Sequence, residues 1–413
     1  MSAPGYQVAI VGAGPSGLAV ATELRRLGVE RVVVIERESA AGGIPRHCGH
    51  SPFGMREFHR LLRGPGYARR LAKQAVDFGV ELKLSTTVIG IGPQGRLVLS
   101  SDLGREEISA QRVVICTGNR ELPRAARLVS GSRPLGVMTT GALQVMTYQK
   151  RRIPFRRPVI VGSELVAFSA LLTCRHFGIR PVAMLEREAR ITAWRAAALL
   201  PPLLGTQLLT DTRLEAILGG ERVSGVEIRQ GGSRSRHIDC DGVVFSGSFV
   251  AESSLVRPSH LQLVAASNGP VVDQYNRCSD PDYFACGNLL HPVDTAGWCW
   301  AEGRRLARHI KASLGDELAA PDRAVEISCN SPAIRYFTPQ RIVTTGDPRQ
   351  ARASCLQIRF VDNRRGRLLL RSGERILAQR QVNAHREQRI LMRLPNLAGL
   401  PASGSLTLDF EPA

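Results

Sequence analysis

The sequence predicts an α/β protein of two lobes, each a parallel sheet flanked by helices, followed by a small all-β domain. Three observations lead to this fold class. Residues 7–36 read as a buried strand, a glycine-rich turn, a helix and a second strand, and residues 157–186 repeat that plan. From residue 325 the chain changes to short alternating runs separated by turn-forming residues. Strands that alternate with helices are typical of parallel sheets, whereas short alternating strands are typical of sandwiches.

The first unit carries glycines at 12, 14 and 17, in the spacing Gly-x-Gly-x-x-Gly, between its strand and its helix. The first glycine allows a tight turn, the second lets the backbone approach a pyrophosphate, and the third lets helix and strand pack closely. Glu36 ends the second strand, where a carboxylate can accept hydrogen bonds from ribose hydroxyls. This context predicts a bound FAD or NAD at the start of the helix.

The second unit keeps Gly162 but has Glu164 and Ala167 at the positions of the other two glycines. A carboxylate there would repel a pyrophosphate, so we expect NAD(P) not to bind this lobe in the usual way. Glu186 ends the second strand and can still hold a ribose, which leaves another nucleotide open. The interpretation we favour is a lobe retained for architecture and subunit contacts.

Two units of this type in one chain indicate a two-lobed flavoprotein with two dinucleotide-binding domains, as in glutathione and thioredoxin reductases. The chain should leave the first lobe after Thr117-Gly118 and return before Gly287-Asn288. We therefore predict a discontinuous FAD-binding lobe at residues 1–122 and 250–324, an inserted, degenerate lobe at 123–249 and a C-terminal β domain at 325–413.

The predicted FAD contacts follow the pyrophosphate turn through the first lobe. A second glycine turn adds backbone N–H groups, Asn288 replaces the usual aspartate facing the ribityl chain, and a helix N-terminus faces the flavin N1/O2 edge. The predicted cofactor-binding residues are Gly12, Gly14, Pro15, Ser16, Gly17, Glu36, Arg37, Gly42, Gly43, Arg46, His47, Val88, Thr117, Gly118, Gly287, Asn288, Ala296, Gly297 and Trp298. The catalytic residues, and the roles of His47, Cys48 and His50, stay open.

Composition limits the function further. The chain has 413 residues, a formal charge of +19 and nine cysteines, none of them in a Cys-x-x-Cys pair. The missing pair removes the dithiol of disulfide-reducing flavoproteins and any iron–sulfur or zinc spacing, so no metal is expected. The excess arginines are dispersed, which favours an acidic protein partner over nucleic acid. No apolar run is long enough for a transmembrane segment, and we expect a cytoplasmic protein.

Three stretches, GGIPRHCGHSPFG, VGSELVAFSALLTCRHFG and YFTPQRI, resemble the FAD-carrying α subunits of heteromeric amine and amino-acid dehydrogenases or oxidases. That group includes opine oxidase, D-hydroxyproline dehydrogenase, dye-linked proline dehydrogenase and hydrogen cyanide synthase. The resemblance implies a separate β-type subunit, with its own flavin, that oxidises the C–N bond of an opine, imino acid or related secondary amine. The α-type chain then carries a further FAD and passes electrons onward.

The same resemblance bears on partners, because several relatives bind an iron–sulfur cluster through a cysteine-rich segment or a small γ subunit. This chain lacks those cysteines, which favours a separate γ-type partner. Any attachment to the membrane would be made through partner subunits. Two alternatives stay open: a self-sufficient NAD(P)H-dependent FAD reductase, and a basic flavoprotein that binds nucleic acid.

Overall fold

The computed structural model describes residues 5–318, 324–343, 355–394 and 405–413. Its first part contributes six strands, the first six in chain order, to a seven-stranded sheet with helices on one face, and the seventh strand is Tyr283–Ala285. The elements are β1 (Tyr6–Val11), α1 (Pro15–Arg26), β2 (Val32–Ile35), a 3-10 turn (Ile44–His47), α2 (Met55–Phe58), α3 (Gly64–Asp77), β3 (Glu81–Lys83), β4 (Thr87–Gly92), β5 (Arg96–Ser101), β6 (Gly104–Ile115) and β7 (Asn119–Glu121).

The inserted lobe follows with two sheets of its own. It contains a 3-10 turn (Arg124–Arg127), β8 (Ser130–Gly131), β9 (Val137–Thr139), α4 (Thr140–Gln144), a π turn (Val145–Gln149), β10 (Pro158–Val161), α5 (Leu165–His176), β11 (Ala183–Leu185), a 3-10 turn (Arg195–Leu199), α6 (Leu200–Leu203), β12 (Gln207–Leu209), β13 (Thr212–Gly219), β14 (Val223–Gln230), β15 (Arg236–Asp239) and β16 (Gly242–Phe245). The sheet order β12-β11-β10-β16-β9 is parallel throughout.

The chain then returns to the first lobe through β17 (Phe249–Ala251), β18 (Tyr283–Ala285), a 3-10 turn (Gly287–Leu289) and α7 (Ala296–Leu314). Strand β18 pairs with β6 in the parallel part of the first sheet, and α7 packs along α1. Strands β7 and β17 pair antiparallel, with Asn119 opposite Ala251. The exit from the first lobe and the return to it therefore run side by side.

The parallel strands of the first lobe follow the order β3-β2-β1-β6-β18, and β4, β5 and β6 add an antiparallel edge. Helices α1, α3 and α7 cover one face with a core that includes Leu18, Tyr67 and Leu306. The opposite face packs Leu97, Tyr283 and other apolar side chains into a second core. Both faces of the parallel strands are thus buried, which explains why the sequence of β1 and β2 is apolar almost without a break.

The C-terminal β domain contains β19 (Ala324–Ser328), β20 (Ile334–Thr338), β21 (Arg341–Val343), β22 (Cys355–Phe360), β23 (Arg364–Ser372), β24 (Arg375–Ala384), β25 (Ile390–Arg393) and β26 (Leu406–Pro412). They form a five-stranded sheet, β21-β19-β26-β23-β24, and a three-stranded sheet, β20-β22-β25. Both sheets contribute to one hydrophobic core, with Leu356 from the smaller sheet and Leu368 and Leu408 from the larger.

The fold class predicted from the sequence is confirmed, although several elements differ from expectation. The sequence pattern of residues 334–343 predicts one run, but these residues form two strands in different sheets. The sequence pattern of residues 112–117 predicts a strand, and residues 112–115 form the end of the twelve-residue β6, whose first half pairs with β5. The domain limits given above stay a prediction. None of the described helices is long and apolar enough to cross a membrane.

Candidate FAD site and its counterpart in the inserted lobe

The three glycines of the turn between β1 and α1 differ in the space around their Cβ positions. Gly12 has φ of +104°, and a Cβ there would lie 2.5 Å from the Cys116 carbonyl oxygen. A Cβ on Gly17 would lie 2.0 Å from the Gly12 carbonyl oxygen, whereas one on Gly14 would meet no described atom within 4 Å. The first and third glycines are therefore required by packing, and the second faces open space at the helix N-terminus.

The second glycine turn, Gly42-Gly43, lies against the first and adds backbone without side chains beside it. The Gly42 N–H donates to the Ala13 carbonyl at 2.8 Å, which brings the two turns together. Gly43 has φ of +61°, and a Cβ there would lie 2.9 Å from Gly14 Cα. Bare backbone next to the N-terminus of α1 is what a pyrophosphate needs for close approach. The residues present therefore fit the pyrophosphate of FAD.

Glu36 lies where the adenosine ribose is expected. Its buried carboxylate accepts the Ala13 N–H at 2.8 Å and the Glu38 N–H at 3.0 Å, so its orientation is fixed from the turn. The Thr86 N–H donates to the Glu36 carbonyl at 2.9 Å, which brings the start of β4, and with it Val88, to this edge. The Arg37 side chain, in contrast, is mostly exposed.

The flavin end of the predicted site is formed where β6 and β18 end against α1. Gly118 has φ of +78° and open space at its Cβ position. Thr117 donates its hydroxyl to the Glu252 carbonyl at 2.7 Å. A Cβ on Gly287 would lie 2.6 Å from Ser16 Oγ, so this turn and the first turn of α1 are in contact. The predicted residues from three separate segments thus converge on one region.

Two predicted flavin-side residues have partners that the sequence did not indicate. The Asn288 side chain donates to the Asp294 carbonyl at 3.1 Å and accepts the Asp294 N–H at 3.0 Å. Its amide therefore holds the segment before α7, and its contact with a ribityl hydroxyl stays a prediction. The Trp298 ring lies against two guanidinium groups, those of Arg56 and Arg389. Ala296 and Gly297 open α7, as predicted.

The side chains of His47, Cys48 and His50 favour their uncharged forms. Burial, together with neighbouring Arg46, lowers the pKa of His47 to about 4. Burial also lowers the pKa of His50. Burial, with the charge of Glu121, raises the pKa of the Cys48 thiol to about 12, and the thiol lies 3.4 Å from Gln144 Oε1. A thiolate nucleophile at Cys48 is therefore disfavoured.

The inserted lobe repeats the backbone hydrogen bonds of the first lobe. The Gly12 N–H donates to the Ile35 carbonyl at 2.8 Å, and the Gly162 N–H donates to the Leu185 carbonyl at 2.9 Å. Likewise, the Glu36 and Glu186 carboxylates accept the N–H groups of Glu38 and Glu188, at 3.0 and 2.9 Å. The inserted lobe is thus a second unit of the same backbone plan.

Side chains differ where the second nucleotide would lie. The Glu164 carboxylate accepts the Ser246 hydroxyl and would come within 2.8 Å of a Cβ on Gly162 and 2.7 Å of one on Gly247. Burial raises the pKa of Glu164. Arg127 crosses the same turn and donates to the carbonyls of Ser246 and Gly247 at 3.0 and 2.7 Å. The protein's own side chains therefore lie where the first lobe has open space.

The acid of the inserted lobe is also engaged. Glu186 accepts the hydroxyl of Ser163 and, at 3.3 Å, that of Thr192. The Ala193 N–H donates to the Ser163 carbonyl at 3.0 Å, the same bond that Gly42 makes in the first lobe. Trp194 therefore follows at the position of Gly43. The sequence pattern indicated Glu164 and Glu186 but not Thr192 and Trp194, because these last two residues lie on a loop without periodicity.

A buried carboxyl group lies at the junction of the two lobes. Glu121, at the end of β7, accepts the Gly141 N–H at 2.8 Å through Oε2. Its Oε1 is buried and has no hydrogen-bond partner in the described part of the chain. Burial, only partly opposed by hydrogen bonds from Gly141 and Thr139, raises the pKa of Glu121 to about 7. The local sequence does not indicate the raised pKa of Glu121, because that shift depends on packing between the lobes.

This geometry defines a flavoprotein with two dinucleotide-binding domains. The family model for pyridine nucleotide-disulphide oxidoreductases matches residues 6–310, which is most of the chain. The protein belongs to that family of FAD-dependent oxidoreductases. Residues 325–413 lie outside the match.

Curated relatives fall into two groups. Thioredoxin reductase of Treponema pallidum is 28% identical over 324 residues, which cover 76% of this chain and 98% of the relative. The HcnB component of hydrogen cyanide synthase of Pseudomonas protegens is 31% identical over 50% of this chain and 45% of the relative. One subunit of the opine oxidase of Rhizobium meliloti is 24% identical over 45% of this chain and 39% of the relative. The chain thus spans less than half the length of the last two.

Solved structures show the same fold. Thioredoxin reductase of T. acidophilum superposes with a TM-score of 0.63 at 20% identity, over 75% of this chain and 98% of that chain. L-proline dehydrogenase of P. horikoshii superposes with a TM-score of 0.56 at 18% identity, over 75% of this chain and 56% of that chain. These similarities concern the fold of the two lobes.

Proposed function

We propose that this chain is the FAD-carrying, electron-transferring α-type subunit of a heteromeric dehydrogenase or oxidase. A partner β-type subunit with its own flavin would oxidise the C–N bond of an opine, an imino acid or a related secondary amine. One observation carries the proposal: Glu164 and Arg127 lie in the nucleotide cleft of the inserted lobe, where a family member using NAD(P)H would bind that donor. Electrons would then have to come from another protein.

Two further observations support this role. The relatives named for opine oxidase and hydrogen cyanide synthase are subunits of larger enzymes by their names. The cysteines of the described residues are free, and no Cys-x-x-Cys pair exists to receive electrons within the chain. The described residues also contain no group of side chains that could hold a metal. We therefore expect a second partner, a small iron–sulfur γ-type subunit.

In the proposed site, bound FAD supplies the capacity to accept and release two electrons. The backbone of Gly14 and Gly43 would hold the pyrophosphate, and Glu36 would hold the ribose. The N-terminus of α7, at Ala296 and Gly297, would stabilise negative charge at the flavin N1/O2 edge.

Exposed apolar side chains of the inserted lobe offer a place for the β-type subunit. Leu165, Trp194, Leu199 and Leu203 are 57–78% exposed and belong to the segments around the Glu164 turn. Exposed arginines, including Arg187 and Arg195, lie in the same segments. An apolar centre with basic neighbours suits an acidic protein surface. Nucleic acid as the partner of the basic charge stays an alternative, which a salt-dependent mobility shift would support.

The experiment is co-expression of this chain with its genomic neighbours, followed by anaerobic addition of opines and imino acids. We expect the purified complex to show substrate-dependent reduction of the flavin bound to this chain, and the isolated chain to show none. Full activity of the isolated chain on such a substrate would contradict the division of labour. Fractionation of the same cells tests the expectation that the complex is cytoplasmic.

A second candidate is a self-sufficient NAD(P)H-dependent flavin reductase. The similarity to thioredoxin reductase along nearly the whole length of that relative favours it. It requires nicotinamide to reach the flavin despite Glu164. Rapid bleaching of the isolated, FAD-loaded chain by NADH or NADPH would support this candidate over the electron-transferring role.

A further inference from the structure

The contacts between the C-terminal β domain and the first lobe include a buried acid, Asp294, which lies between the Gly287-Asn288 turn and α7. Arg359, on β22, donates to the Asp294 carboxylate, and the two side chains are only 4% and 7% exposed. Gln357 donates to the same carboxylate at 3.1 Å, and an Arg389 guanidinium nitrogen lies 3.6 Å from it. A carboxylate this buried requires such partners, because an uncompensated buried charge is strongly unfavourable.

Asp294 is tied to the predicted flavin site through its backbone. Its N–H and carbonyl make the two hydrogen bonds to Asn288 at 3.0 and 3.1 Å, and Asn288 is the predicted ribityl contact. Side chains of the β domain therefore fix the segment that carries predicted cofactor ligands. Removal of Arg359 or Arg389 would therefore disturb the position of that segment, although neither residue belongs to the first lobe.

The same interface brings positive charge to the N-terminus of α7. Arg389 Cζ lies 3.5 Å and Arg56 Cζ lies 3.8 Å from the centroid of the Trp298 ring. Both distances are within the range of cation–π attraction. Trp298 is the third residue of α7, so both cations lie beside the helix end that we predict to face the flavin.

Charged groups of both signs lie near this helix end. The carboxylates are those of Asp294, of Glu57, which would lie 3.3 Å from a Cβ on Gly297, and of Glu302, which accepts the Gly287 N–H at 2.8 Å. The guanidinium groups of Arg56, Arg359 and Arg389 oppose these carboxylates and add to the partial positive charge of the helix N-terminus. Reduction of a flavin places negative charge at its N1/O2 edge, where positive charge is favourable.

We propose that the C-terminal β domain is part of the flavin site: Arg389 and Arg359 position the Asp294–Trp298 segment and make the bound FAD easier to reduce. Arg389 and Arg359 are positioning residues, because they act through Asp294, Trp298 and the field at the end of α7. The proposal rests on the predicted position of FAD in the first lobe. It holds for an electron-transferring subunit and for a reductase alike.

The test is the reduction potential of the FAD-loaded full-length chain, measured by equilibration with reference dyes without substrate or partner. We expect Arg389→Gln to weaken binding of reduced FAD relative to oxidised FAD about tenfold, a fall of about 30 mV for a two-electron couple. Arg389→Lys should restore most of the potential because it keeps the charge. Arg364→Gln, which removes an exposed arginine paired with Asp362 in the same domain, should leave it unchanged.

Arg389 is chosen over the more buried Arg359 because its loss threatens folding less. A folded Arg389→Gln protein with an unchanged potential would overturn the proposal. An equal loss of affinity for oxidised and reduced FAD would also overturn it, since Arg389 would then only hold the segment in place and would not affect the reduction potential. Because the measurement uses neither substrate nor partner, its result is separate from the success or failure of the proposed subunit role.

Discussion

The two lobes share one backbone plan and differ at the few side chains that decide whether a dinucleotide fits. Gly14 leaves open space at the N-terminus of α1, whereas Glu164 fills the same position at α5 and bonds to Ser246. Gly43 lies bare against Gly14, whereas Trp194 follows the equivalent loop hydrogen bond in the inserted lobe. Repetition of a fold therefore does not imply repetition of its ligand.

The comparison also separates glycines needed for folding from glycines needed for binding. Gly12 and Gly162 are both retained, with φ of +104° and +125°, because the tight turn requires that conformation in either lobe. A Cβ at Gly14 would meet no described atom within 4 Å, so the fold tolerates Glu164 at the equivalent position, and we expect this replacement to affect ligand binding alone. A retained first glycine with a changed second glycine therefore fits our interpretation that the inserted lobe is kept for architecture.

The largest effect is expected when the glutamate of the inserted lobe, Glu164, is copied to the equivalent position of the first lobe, Gly14. Gly14→Glu should weaken FAD binding more than about 1,000-fold, or about 4 kcal/mol, because the carboxylate would lie against the pyrophosphate. The measurement is FAD content after purification and refilling. Gly232→Glu, which also has open space at its Cβ position but lies in an exposed turn, is the control. A Gly14→Glu protein that retains stoichiometric FAD would break the comparison.

The junction between the lobes should give the chain a pH-dependent stability. The pKa of Glu121 is raised in the fold to about 7 from 4.5, so the folded state prefers the protonated form. The stabilisation by protonated Glu121 is fully present below about pH 4.5 and is lost as the pH rises to about 7. The free energy of unfolding changes by up to about 3 kcal/mol across this window. Glu121→Gln should flatten the free energy of unfolding across that window in urea titrations.

The control for this window is Glu107→Gln, which removes an exposed carboxylate from β6. It should leave the pH dependence of the wild-type chain in place. Parallel curves for Glu121→Gln and the wild type would show that Glu121 is not held as a neutral acid.

Packing at the third glycine position should also distinguish the lobes. Gly17→Ala should lower the free energy of unfolding by about 2 kcal/mol, because its Cβ would lie 2.0 Å from a backbone oxygen. Ala167, at the equivalent position, is fully buried without such a conflict, and Ala167→Gly should cost about 1 kcal/mol or less. Urea unfolding measures both. Higher stability of Gly17→Ala than of the wild type would mean that the two turns pack alike.

The smallest effect is expected at the surface of the inserted lobe. Trp194→Ser should weaken, by about tenfold or about 1.4 kcal/mol, the capture of the proposed β-type subunit, and it should leave FAD content unchanged. Exposed Leu103, on the first lobe, provides the control Leu103→Ser. Equal partner affinity for both variants and the wild type would place the subunit contact elsewhere.

Local patterns predicted the parts of this molecule that depend on local rules. The spacing of Gly12, Gly14 and Gly17 indicated the cofactor turn, and Glu164 indicated the changed one, because strand, turn and helix follow each other directly. The sequence could not indicate that Arg389 lies against Trp298 or that Asp294 is held by Arg359. Those contacts join segments that are far apart in the chain, and only the packing of the β domain on the first lobe brings them together.

The most direct test of the account is a count of nucleotides by native mass spectrometry on the folded chain. The chain is first saturated with FAD and then offered NADH, NADPH and adenine nucleotides. We predict one FAD per chain and no second nucleotide, since Glu164 and Arg127 lie at the turn where its pyrophosphate would bind and Glu186 already accepts the Ser163 hydroxyl. A stable species with FAD and a second nucleotide on one chain would contradict the account.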